Sequence, residues 1–183
     1  MRIVGISSEE IVQIYKENEN TLDKTIESIV KLLDKREQKI STAESCTGGL
    51  LSELITNVPG ASRVFEMGIC TYSNSAKMRL LGVPAEILSV FGAVSAETAR
   101  EMAMGLKSLS GADLCISITG TAGPGGGTEE CPVGTVYAGI VCGEKLCTAH
   151  LETYKMCRTS RGEVRRAAAV CAFGIALRML VEE

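Results

Sequence analysis

In a chain of 183 residues with one histidine, hydrolytic chemistry needs a base of another kind, and two segments offer the parts. The first, Thr42-Ala-Glu-Ser-Cys-Thr-Gly-Gly, sets Ser45 where a predicted strand gives way to a predicted helix. Glycines there let backbone approach a ligand, and the first N–H groups of a helix lack intrahelical partners. That setting suits a nucleophile whose attack builds an oxyanion. The second, Thr71-Tyr-Ser-Asn-Ser-Ala-Lys, sets Lys77 near a helix start, where the macrodipole disfavours its charge and lowers its pKa. With partial burial, a neutral Lys77 would take the Ser45 proton, as lysine does in serine enzymes that lack a catalytic histidine. Tyr72 would hydrogen-bond the lysine or relay a proton. Each residue also has a plain structural reading: Ser45 as a helix cap, Lys77 as a solvated side chain, Tyr72 as a core-edge ring.

A third group, Lys155, Arg158, Arg161, Arg165 and Arg166, surrounds the predicted start of the last helix. Cations destabilise a helix N-terminus unless an anion is present, whereas free N–H groups and arginines together make a phosphate site. Arg161 and Arg165 are four apart and share a helix face. A solvated basic face is the alternative. The loop over residues 120–127 is glycine-rich but has neither the P-loop nor the dinucleotide pattern. It follows a buried strand, so its backbone is placed to line a cleft. Glu129 and Glu130 read as a solvated loop tip, and no metal is expected.

The wider composition narrows the function classes. A net charge of −3 gives no broad basic surface for nucleic acid, and the small basic cluster lacks interleaved aromatics. The opening Met-Arg-Ile-Val-Gly-Ile turns polar at Ser7, short of a signal segment, and no long apolar run follows, so a cytoplasmic location away from membranes is expected. None of the eight cysteines forms a C-x-x-C pair; most sit in apolar runs and read as reduced, buried thiols. His150 reads as a strand-face residue.

The elements that must hold these groups follow from capping and periodicity. Ser7 and Glu10, and later Ser160 and Glu163, form S-x-x-E boxes that open helices. Leu22, Ile26, Ile29, Val30 and Leu33 give a helix over residues 21–36. Further helices are expected over residues 50–55, from a cap at Asn74 through Leu81, and from a cap at Ser95 through Leu109. Strands are expected over residues 39–42, 65–72, 114–119, 133–141 and 145–154. The sum is a single-domain α/β sandwich, a mixed β-sheet flanked by helices, over residues 21–183, with residues 1–20 as a helical extension. Small α/β domains with such extensions often pair, and a homodimer is the expected assembly.

Together with Gly92-Ala-Val-Ser, Gly120-Thr-Ala-Gly-Pro and Pro132-Val-Gly-Thr-Val, the Ser45 and Lys77 segments closely resemble the carboxy-terminal domain of the competence-damage protein CinA, over residues 25–181. Stand-alone members of that family are nicotinamide-nucleotide amidases. The resemblance implies a small-molecule nucleotide substrate, nicotinamide mononucleotide, and no cofactor. By it Ser45 matches the nucleophile, Lys77 the base and Tyr72 the assisting tyrosine. Thr47, Gly48, Gly120, Thr121, Gly123, Arg161 and Arg165 are expected to line the substrate site, the two arginines near its phosphate. A nucleotide-binding or interaction module serving competence or DNA repair is the competing expectation. Three positions depart from the family pattern: Thr159-Ser160 in place of Gly-Asp, Gly125 in place of Asp, and Cys131 in place of Lys. The larger amino-terminal domain of full-length members has no counterpart, so its pyrophosphatase activity is not expected.

Overall fold

The computed structural model describes residues 1–158 and 160–182. Six strands form one sheet: β1 (Arg2–Val4), β2 (Ile40–Glu44), β3 (Phe65–Cys70), β4 (Leu114–Gly120), β5 (Val136–Cys142) and β6 (Lys145–His150). Among the described residues there are seven α-helices: α1 (Ser8–Asn18), α2 (Leu22–Lys35), α3 (Leu50–Thr56), α4 (Asn74–Leu81), α5 (Ala85–Val90), α6 (Ala96–Ser110) and α7 (Arg161–Val181). The strand order is β1-β6-β5-β4-β2-β3, parallel at β1–β6, β4–β2 and β2–β3 and antiparallel at β6–β5 and β5–β4. This is the mixed α/β sandwich that the sequence predicts.

The central strands are buried on both faces even where their side chains are polar, as with Ser41, Thr42 and Glu44 of β2. β2 is buried throughout, and β4 is buried from Leu114 to Thr119, as strands covered on both faces must be. α6 lies across one face of the sheet, with α4 packed on it. The Ala-rich α7 lies against β4 and β5 on the other face, and α1 and α2 pack onto α7 in turn. Ile26, Ile29 and Leu33 of α2 are almost fully buried, each a side chain whose burial stabilises by roughly 1.5–3 kcal/mol.

The Ser7 capping box forms in full, Ser95 caps α6, and Ser160 caps α7. Two expectations need correction, and one helix was not foreseen. Ser73, not Asn74, caps α4, its Oγ accepting the Ala76 N–H at 3.1 Å, so Asn74 is the first helical residue. β1 comes from the segment read only as the start of an extension. It is three residues long with Ile3 76% exposed, so nothing local marks it as a strand; its pairing with β6 makes it one. α5, for which no element was expected, is six residues long and buries none of them fully, although Leu88 packs against the core.

α4 and α6 come together at Gly105, where a Cβ would stand 1.8 Å from the Leu81 carbonyl oxygen. Alanine is favoured over glycine in a helix by about 1 kcal/mol, but the contact here is with backbone and cannot be relieved by a rotamer. Gly105→Ala is therefore expected to lower the unfolding free energy by about 1–3 kcal/mol, read by urea denaturation. Stability at or above the parent would contradict this account of the α4–α6 contact.

Candidate active site

The carboxyl ends of the parallel strands β2, β3 and β4 lie side by side, the position where open α/β sheets place their ligands. Each strand hands a different piece to this edge. β2 runs into the turn that begins at Ser45, whose N–H donates to Ile118 O of β4 at 3.0 Å. β3 leads through Thr71 and Tyr72 into α4, which carries Lys77. β4 ends at Gly120 and opens the glycine-rich loop.

The structure brings Ser45 and Lys77 together. Lys77 Nζ lies 3.1 Å from Ser45 Oγ, 2.9 Å from Thr71 O and 3.5 Å from Tyr72 O. Lys77 is 1% exposed and Ser45 8% exposed, so the solvated reading of the lysine is wrong. Burial lowers the Lys77 pKa from its ordinary 10.5. The burial that the sequence reading required of Lys77 is therefore present, and desolvation is the largest cause of the shift. Cys46, next in sequence, is held as a thiol by burial, its pKa pushed up to about 12, so it does not compete as a nucleophile. The Thr47 N–H meets no acceptor among the described residues, and the Cys46 N–H meets only its own thiol.

Tyr72 is placed differently from the expectation. It is 62% exposed, and its hydroxyl accepts from Arg161 Nη2 at 3.1 Å, while Lys77 meets only its backbone carbonyl. Arg161 Nη1 also donates to Gly123 O at 3.0 Å, tying the glycine loop to the start of α7. Arg165 is spent on the Ser45 turn: Nε donates to Thr47 O at 3.1 Å, and Nη2 donates to the same oxygen. Both arginines thus reach the site from one face of α7, as their spacing predicts, but with protein partners. Lys155 pairs instead with Glu152 at 2.7 Å.

Thr47 has a buried hydroxyl with no partner among the described residues. Gly48 lies beside Arg165. At Gly120 a Cβ would meet Thr135 O and Val136, and at Gly123 it would meet Val133, so these two glycines answer to packing within the loop. Thr121 is held by backbone bonds to Thr135 and Gly134. Of the departures from the family pattern, Thr159 lies outside the described residues, Ser160 caps α7, Gly125 has open space beside it, and Cys131 Sγ lies 3.8 Å from Thr121 Oγ1. His150 stacks on Tyr137, ring centroids 4.4 Å apart, three strand positions from β2. That is about 14 Å from Ser45 at ordinary strand spacing, so it cannot serve this serine.

One residue escaped the sequence reading. Glu44 is fully buried, and its carboxylate accepts from the amides of Gly49, Leu51 and Ser52 and from the Ser52 hydroxyl. A signal was present: a helix opened by Gly-Gly has no side chain of its own to cap it, and Glu44 is the nearest upstream carboxylate.

Because the folded chain holds Lys77 below its unfolded pKa, it binds fewer protons than the unfolded chain between the lowered value and 10.5. The penalty is full below that window and fades as pH rises through it. Lys77→Met removes the titration, so its unfolding free energy minus that of the parent is expected to fall as pH rises toward 10.5. Urea denaturation of both proteins at stepped pH reads the slope, which is independent of the fixed cost of leaving Thr71 O without its donor. A flat or rising difference would contradict the burial account.

Residues 22–180 match the CinA C-terminal domain family. A CinA-like protein of Kosmotoga olearia is 48% identical over 168 residues, covering 92% of this chain and 39% of that protein. A CinA-like protein of Thermotoga maritima is 54% identical over 118 residues, covering 64% and 29%. The chain thus spans less than half the length of these relatives. Among solved structures, the competence/damage inducible protein CihA of Agrobacterium tumefaciens has a TM-score of 0.78 and 37% identity, covering 87% of this chain and 93% of that one. A CinA superfamily protein of Klebsiella pneumoniae has a TM-score of 0.81 and 30% identity, covering 88% and 98%. β1 and α1 precede the family match, although Ile11 and Ile14 of α1 are buried in the same core. From the start of α2 to the last turn of α7, the chain belongs to the CinA C-terminal domain family.

Proposed function

We propose that this chain hydrolyses the carboxamide of nicotinamide mononucleotide, giving nicotinic acid mononucleotide and ammonia. The observation that carries the reading is the buried contact between Lys77 Nζ and Ser45 Oγ at 3.1 Å. A serine hydroxyl is a weak nucleophile until a neighbour takes its proton, and an amine whose pKa burial lowers is such a neighbour. The resemblance of the motifs to nicotinamide-nucleotide amidases supplies the substrate.

In this mechanism Ser45 Oγ attacks the amide carbon as its proton passes to Lys77 Nζ. The carbonyl oxygen becomes an oxyanion beside the Cys46 and Thr47 amides, two donors fixed in the turn. Collapse of the tetrahedral intermediate breaks the C–N bond, with the Lys77 proton going to the departing nitrogen. Water then attacks the acyl-Ser45 ester, with Lys77 again as base, and releases the acid. The substrate phosphate is assigned to Arg161, at the exposed mouth of the site beside Tyr72. Arg165 serves chiefly to hold the turn.

Purified protein is expected to release ammonia from nicotinamide mononucleotide. Ser45→Ala and Lys77→Ala should each lower kcat by at least about a hundredfold with circular dichroism unchanged. Normal turnover by both variants would contradict the mechanism. Nucleotide binding by calorimetry without product from any pyridine nucleotide amide would favour the binding-module reading. Equal kcat/KM for nicotinamide riboside and the mononucleotide would argue against the Arg161 phosphate site.

The pH dependence has a definite sign. The base must be neutral, so kcat/KM is expected to rise with pH along a limb whose midpoint lies below 10.5, in the direction burial moves Lys77. A rate that falls with rising pH over that limb would rule out Lys77 as the base.

A further inference from the structure

The nucleophile turn has to solve a local problem. α3 opens after Gly49, which sits at φ 97° in the left-handed region and offers no side chain to the N-terminal amides of the helix. An N-cap side chain ordinarily accepts from the second or third helical N–H. Here that service comes from five residues upstream. Glu44 Oε2 accepts from Gly49 N and Leu51 N, both at 3.0 Å. Its Oε1 accepts from Ser52 N at 3.0 Å and Ser52 Oγ at 2.9 Å. The Glu44 side chain is anchored at the end of β2, so the carboxylate joins the strand directly to the helix. The intervening loop, Ser45 to Gly48, is left as a closed span with both ends fixed.

From this we infer that Glu44 is the positioning residue for the nucleophile, an inference that rests on the proposed role of Ser45. It touches no reacting atom. Its effect is on where the Ser45 hydroxyl and the Cys46 and Thr47 amides stand. With the first turn of α3 satisfied by Glu44, those two amides are not drawn toward the helix and remain for an oxyanion. On the far side of the span, Arg165 donates to Thr47 O, which also accepts from Leu50 N, while Gly48 N donates to Ser45 O, so the peptide after Thr47 is fixed at both its carbonyl and its amide. Glutamine cannot replace the carboxylate. It has one acceptor oxygen, and its NH2 would face either the Gly49 and Leu51 pair or the Ser52 amide. Small displacements of a reacting group can cost on the order of a hundredfold in rate.

The test is the single-turnover acetylation of Ser45 by p-nitrophenyl acetate, which releases p-nitrophenol and leaves acetyl-Ser45, followed by peptide mass mapping. For folded Glu44→Gln, the acetylation rate constant is expected to fall about 30- to 100-fold while the amplitude stays at one acetyl per chain. A merely structural role would lower the amplitude and leave the rate constant alone, and a rate constant within threefold of the parent overturns the proposal. If Glu44→Gln does not fold, Ser52→Ala decides: it removes one of the four donors, and a fall of about three- to tenfold supports the proposal, while a parental rate overturns it. A parent that acetylates at Ser45 yet leaves nicotinamide mononucleotide intact removes the substrate reading alone, with the Glu44 claim still decided by the ester. A parent that does not acetylate at Ser45 overturns both.

Discussion

An amine buried against a serine hydroxyl is the constraint around which this structure is arranged. Lys77 is almost wholly removed from solvent, and an ammonium there would give up most of its hydration for two carbonyls and a hydroxyl. Burial moves its pKa below the ordinary 10.5, toward the neutral form, which is the one able to take a proton. Holding the amine there requires α4 to sit tightly on α6, and Gly105 permits the approach that brings it in. Packing and acid–base chemistry are therefore one problem at this position.

The opposite half of the site is backbone held between two charged side chains. Glu44 satisfies the amides beyond the turn, and Arg165 satisfies a carbonyl within it. Each reaches across a boundary between elements: Glu44 from strand to helix, Arg165 from α7 to the β2 turn. The single histidine, stacked on Tyr137 away from this edge, takes no part. In the proposed mechanism a sheet edge, one buried amine and a pinned turn together take the place of the triad that a histidine would have organised.

What the sequence disclosed, and what it hid, divides along the range of the interactions. Capping by Ser7, Ser95 and Ser160 is settled within four residues, and the stripe on α2 within four turns, so both were legible. The choice of Ser73 over Asn74 as cap turns on one residue of backbone geometry, which composition does not carry. β1 exists because β6, far along the chain, offers an edge. In the site, residue types and spacing pointed to Ser45 and Lys77, but their meeting depends on β2 and β3 being neighbours. The extent of the lysine's burial was hidden for the same reason: the helix start is visible in sequence, whereas the atoms that bury Lys77 come from other elements. Tyr72 follows suit, since its hydroxyl partner Arg161 lies 89 residues away. Glu44 was hidden by its motif, in which the serine beside it drew the chemistry.

The account stands most directly on the protonation of one nitrogen. With lysine side chains labelled with 15N, the Nζ resonance of Lys77, assigned by its loss in Lys77→Met, can be followed as pH is raised. The account predicts a titration midpoint below the ordinary 10.5, where the folded chain keeps the amine neutral beside Ser45. A midpoint at or above 10.5 would mean that Lys77 is a stably charged side chain, and the proposed proton transfer from Ser45 would fall with it.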